Sequence, residues 1–249
     1  MLKTLYLGLK FSFSHFSTLP IRFDKSDDLS QKDILGATLL MLPLVGLILG
    51  SITVLLFSLL SSLTWYGAVI SAIFYMISYG FIHTEAVIDV VDAIYASHSN
   101  KDAYTIIKEP TVGAMGVLYA IALVLLKVTG IAFLLMHHLF FEFIAILIIS
   151  RVSLLVLFKL HTFKSSFATA LKEGLSNGYF IASLVIFTTI GTLLTLEFTL
   201  FLIEGVLLAL IFSYGIKLKL GFVNGDVLGV TLEGVETILL LLVALLLVN

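Results

Sequence analysis

Three carboxylates, Glu85, Asp89 and Asp92, recur at steps of four and three residues in the stretch HTEAVIDVVDAIYASHSNKDAYTIIKEPTVGAMG, which runs from His83 to Gly116. On a helix, at about 100° per residue, they share an arc of roughly 60°. Like charges crowded on one face destabilise a helix unless a cation compensates, and the natural one is a hard divalent ion with oxygen ligands. Mg²⁺ takes one or two carboxylates and leaves its other positions to water and phosphates, so the spacing points to phosphoryl transfer. The alternative is a solvated acidic face. Against it, Ala86, Val87, Ile88, Val90, Val91 and Ile94 make the rest of the helix apolar enough to pack on membrane helices and turn the acids into a cleft. His83 points away from the acidic arc.

Downstream, Lys108 and Glu109 precede Pro110, and Gly113 and Gly116 open the next apolar run. Amides at a helix N-terminus favour anions, and glycine permits close approach, so a phosphate can rest there with Lys108 as a point charge. A Pro-Gly loop that merely starts a helix reads equally well. A second polar knot, NGDVLGVTLEGVE, sets Asp226, Glu233 and Glu236 on one side of the last apolar run. Arg151 lies about 12 Å inside another run, deep enough to require a carboxylate or a substrate phosphate. Lys127 is closer to its surface and either snorkels or serves the same polar centre.

The elements that must position these groups are membrane helices. Of 249 residues, 60% are hydrophobic and 12% charged, and the mean hydropathy is +1.16, far from the balance of soluble domains. Apolar runs near 35–60, 65–82, 113–135, 138–158, 178–195, 199–216 and 228–248 give seven spans, within one. The expected fold is an all-α polytopic bundle, one integral domain over 1–249, with an interfacial helix in the first twenty residues and its chemistry around 83–116. Twelve Lys and Arg, including Lys3, Arg22, Lys101, Lys164 and Lys219, fall on one side of that arrangement, which makes the N-terminus and the long loops cytoplasmic. Cysteine is absent, so thiolate chemistry is excluded. Gly46 and Gly50 form a G-x-x-x-G pair read as a close helix contact. His137 and His138 are adjacent and share no helix face, which argues against a metal site there.

Taken in order, these motifs resemble the cobalamin synthase family, the adenosylcobinamide-GDP ribazoletransferases, nearly end to end. FSTLP, PLVGLILG, HTEAVIDVVDA, IIKEPTVG, Lys127, Ser150-Arg151 and NGDVLGVTLEGVE match the family's sequence blocks. The departures are Glu85 and Glu109 for aspartates, Ala86 and Ala93 for glycines, and Thr111 where an arginine is usual. That arginine would be a bidentate phosphate donor, which lysine does not fully imitate.

The resemblance implies that α-ribazole or its 5′-phosphate attacks adenosylcobinamide-GDP and GMP leaves. It implies Mg²⁺ on Glu85, Asp89 and Asp92, catalytic roles for Asp89, Asp92, Lys108 and Arg151, and substrate contacts from His83, Glu109, Gly113, Lys127, Asp226, Glu233 and Glu236. It also implies a multi-pass protein of a bacterial inner membrane with its active site facing the cytoplasm. Beyond its two substrates and the lipid bilayer, no nucleic-acid partner is expected, and a homo-oligomer is compatible with the chain. Two other classes compete: a transporter with intramembrane carboxylates, and a lipid phosphotransferase of the CDP-alcohol kind.

Overall fold

The computed structural model describes residues 2–96, 102–108 and 111–247, and every regular element among them is helical. An N-terminal helix α1 (Leu2–Phe16) leads through a loop into α2 (Lys32–Leu59), and a single 3₁₀ turn connects to α3 (Trp65–Ser78) and α4 (Ile82–Ala96). A short α5 (Ala103–Lys108) precedes α6 (Ala114–Met136) and α7 (Phe140–Leu160). Then come α8 (Ser166–Gly174), α9 (Asn177–Leu194), α10 (Phe198–Leu220) and α11 (Gly225–Leu247).

Helices α2, α6, α7, α9, α10 and α11 are each long and apolar enough to cross a bilayer, and α3 with α4 passes the same test as a pair bent by 75°, which makes seven spans if the pair is one. Six or seven spans agree with the expectation of seven within one, with a change in the second. The second span, expected to run straight over 65–82, ends as a helix at Ser78 after 14 residues, about 21 Å. Gly80 and Phe81 both take positive φ, 69° and 54°, a conformation that α-helix excludes and that is unusual for a bulky residue. The chain therefore turns, and α4 packs across the first turns of α6 and α11. Thr18 ties the N-terminal segment to this bend: its amide donates to the Ser78 carbonyl at 2.8 Å, satisfying an acceptor that the broken helix leaves open.

Helix α7 is the central pillar. It is apolar all round apart from Ser150, Arg151 and Ser153, and Phe143 through Leu155 are buried without interruption, as expected of a helix surrounded by others. Around it, α9 and α10 show their leucines outward, with Leu193 at 83% exposure, where lipid is the solvent. Gly46 and Gly50 do make the expected close contact. A Cβ at Gly46 would stand 2.5 Å from the Leu147 carbonyl oxygen and 3.0 Å from Arg151 Cδ. Gly46→Val should therefore force α2 away from α7 and cost about 1–3 kcal/mol, seen as a lowered melting temperature in detergent. An unchanged melting temperature would mean that the two helices do not depend on this contact.

Candidate active site

The bend after α3 and the starts of α6 and α11 gather the acids at the end of the bundle where α1 ends. On α4, Asp89 and Asp92 are half-buried and Glu85 is exposed, while Val87, Val90 and Ala93 pack inward. This is the division that the apolar pattern implied. Asp92 is held firmly: its Oδ2 accepts the Gly113 amide at 2.6 Å and its Oδ1 the Gly116 amide at 2.8 Å. The amides that sequence reasoning offered to a phosphate are thus occupied by the protein's own carboxylate, the anion that a helix N-terminus prefers. Glycine is required here because a Cβ at Gly116 would lie 2.6 Å from the Ile88 carbonyl oxygen.

Asp226, at the start of α11, joins this edge from the other side. Asp89 stands half-buried within reach of the charges of Asp226, Glu85 and Asp92. Among the described residues no three His, Asp or Glu side chains converge tightly enough to hold a metal ion by themselves. The donor set still suits Mg²⁺, which completes its shell with water and phosphate oxygens.

Deeper in the bundle lies a sealed, charge-balanced network. Lys127 on α6 reaches Glu233 at 2.6 Å and Glu236 at 2.5 Å, all three with fully buried side chains. Arg151 on α7 pairs with Glu236 and also donates to Tyr75 at 3.1 Å and to the Leu147 carbonyl at 3.1 Å. Tyr79 donates to Glu233 at 2.7 Å, Thr84 donates to the same carboxylate at 3.2 Å, and Ser150 donates to Glu236 at 2.9 Å. Of the two partners expected for Arg151, the structure supplies the carboxylate. Lys127 does not snorkel. The three acids of α11 divide: Glu233 and Glu236 face the network, whereas Asp226 accepts from Asn224 at 2.6 Å at the bundle's edge.

Lys108 is exposed at the end of α5, its ammonium 4.2 Å from the centre of the Tyr104 ring, and Lys164 lies at the same 4.2 Å distance. Two ammonium groups thus share one ring, and Lys164 also acts on the Asp102 carboxylate. Glu109 lies outside the described residues. His83 is buried, 8% exposed, and faces Asp226 across a cavity instead of joining Glu85, Asp89 and Asp92. Sequence reasoning missed Tyr75, Tyr79 and Thr84. Their spacing, two tyrosines one turn apart in an apolar run, was the available signal that hydroxyl groups point into a polar interior.

The profile of the family described as cobalamin-5-phosphate synthase matches residues 8–244. Relatives named adenosylcobinamide-GDP ribazoletransferase include one from Clostridium perfringens, 27% identical, with 94% of this chain and 96% of that protein covered. Another from Brevibacillus brevis is 30% identical, with 80% and 83% covered, and one from Clostridium tetani is 30% identical, with 84% and 86% covered. No solved structure matches the chain.

Proposed function

The chain belongs to the cobalamin-5-phosphate synthase family, and from that membership we propose that it joins α-ribazole or its 5′-phosphate to adenosylcobinamide-GDP with release of GMP, using the carboxylate edge of α4 and α11. It is a membrane-embedded transferase of cobalamin biosynthesis; the substrates, the metal and the sidedness are the proposal. The observation that carries it is the gathering of Glu85, Asp89, Asp92 and Asp226 at one end of the bundle, close enough for the other three charges to act on Asp89. Carboxylates massed in this way are suited to a divalent cation and a diphosphate.

In the reaction, the acceptor's hydroxyl oxygen forms a bond to the cobinamide-linked phosphorus while the bond from that phosphorus to the GMP oxygen breaks. The hydroxyl proton passes to a carboxylate of the edge. Mg²⁺ would be held by one or two of Glu85, Asp89 and Asp92, with water and phosphate oxygens completing its shell, and would supply charge neutralisation to the diphosphate and the departing GMP. Lys108 and Lys164 hold phosphate oxygens as point charges. Asp92, through its two amide bonds, fixes the start of α6 against α4. Thr84, next to Glu85, hydrogen-bonds Glu233, so the buried network sets the position of the edge, and Arg151, Lys127, Glu233 and Glu236 serve as positioning residues. By the distribution of lysine and arginine this end faces the cytoplasm, and we place the protein in a bacterial inner membrane.

The test is product identification with detergent-purified protein given adenosylcobinamide-GDP and either acceptor. GMP together with a matching corrinoid product is expected. CMP release from a CDP-alcohol, or solute flux into proteoliposomes without GMP, would replace this reading with the corresponding rival.

A further inference from the structure

A cavity of about 190 Å³ lies between α1, α4, α8 and the first turns of α11, and it shares Asp226 with the acidic edge. Ring faces and aliphatic chains make most of its wall, among them Phe16, Phe158, Phe167 and Leu171. His83 stands in it with its ring stacked on Phe16 at 6.3 Å and on Tyr79 at 5.7 Å, the planes within 27° and 26°. More than nine-tenths of His83 is buried, yet its ring nitrogens bond to no described residue. A buried imidazole facing a cavity with its hydrogen-bonding capacity unused is a site for a ligand. Beside it, Gly229 lets α11 approach α4 closely, since a Cβ there would stand 2.8 Å from the Ala86 Cβ and 3.5 Å from His83 Nδ1.

We infer that this cavity seats the planar aromatic base of the ribazole acceptor, with His83 donating a hydrogen bond to its one free ring nitrogen. The inference rests on the ribazole transfer proposed above. A benzimidazole-type base is apolar on both faces and nearly all round its edge, with a single acceptor nitrogen, which matches ring and leucine walls and one imidazole N–H. Guanine, the other bicyclic base in the reaction, has polar groups along most of its edge, and a wall that is polar at His15, His83, Ser165 and Asp226 and apolar elsewhere would pair some of them and strand the rest. The corrin macrocycle is too large for the cavity. Asp226 at the wall places the base next to the carboxylates, so that the attached ribose reaches the phosphorus centre.

The test uses the full chain in detergent, with α-ribazole affinity measured by calorimetry and KM for each substrate measured with the other saturating. His83→Phe keeps the ring and removes the donor. Phe167→Ala trims a wall residue that is 39% exposed and whose ring meets Phe11 and His15 of α1, and an unchanged melting temperature shows that the bundle tolerates it. Both should weaken α-ribazole binding and raise its KM by about 10-fold or more, with KM for adenosylcobinamide-GDP unchanged. A rise in KM for adenosylcobinamide-GDP instead would assign the cavity to guanine and overturn the inference. Unchanged constants for both substrates would remove the cavity as a subsite. In either case continued GMP release by the parent leaves the transfer itself standing. A parent that neither binds α-ribazole nor releases GMP would overturn both.

Discussion

Lys127→Met should destabilise the detergent-solubilised protein by about 3–5 kcal/mol, the cost of leaving a buried charge without its partner. The parent network holds two cations, Lys127 and Arg151, against two anions, Glu233 and Glu236, with every carboxylate oxygen bonded. Removing Lys127 leaves Arg151 alone to face two carboxylates where neither water nor lipid can solvate them. The double variant Lys127→Met with Glu233→Gln restores neutrality and keeps an acceptor for the Tyr79 hydroxyl. It should recover most of the loss, a coupling that a double-mutant cycle reads directly. Melting temperature and the yield of monodisperse protein are the measurements. Additive losses in the two single variants and the double would mean that the charges do not act as one network.

Asp89→Asn should lower the rate of GMP release by about 10²–10³-fold, in the range set by removing one electrostatic stabiliser from a transition state. Asparagine keeps the shape and removes the charge, so the variant should fold at neutral pH at least as well as the parent. That separates chemistry from stability. Glu85→Gln should act in the same direction with a smaller effect, since Glu85 stands exposed at the rim, where water screens it. Full turnover by Asp89→Asn would move the chemistry away from α4.

Much of this was legible because membrane helices declare themselves by length and hydropathy, and because a charge inside an apolar run has few explanations. Arg151 and the spacing of Glu233 and Glu236 in α11 required a buried polar centre, and the structure contains one. What could not be read was which groups meet. Glu233 and Asp226 are two turns apart and nearly in line on α11, yet one is paired inside and the other lies at the edge. The bend at Gly80 and Phe81 decides this, because it lays α4 across the start of α11. Likewise, amides at Gly113 and Gly116 look the same in sequence whether a phosphate or Asp92 occupies them. Only the approach of α4 to α6, close enough to exclude a Cβ at Gly116, shows that the carboxylate has taken the place. The aromatic cavity was not legible at all, since His15, Phe16 and Phe167 come from helices far apart in the chain.

The most direct measurement is GMP release from adenosylcobinamide-GDP and α-ribazole 5′-phosphate as Mg²⁺ is titrated into chelator-treated protein. A metal-bound carboxylate edge predicts no release without the cation and a saturable rise with it. Undiminished release in excess chelator would contradict it.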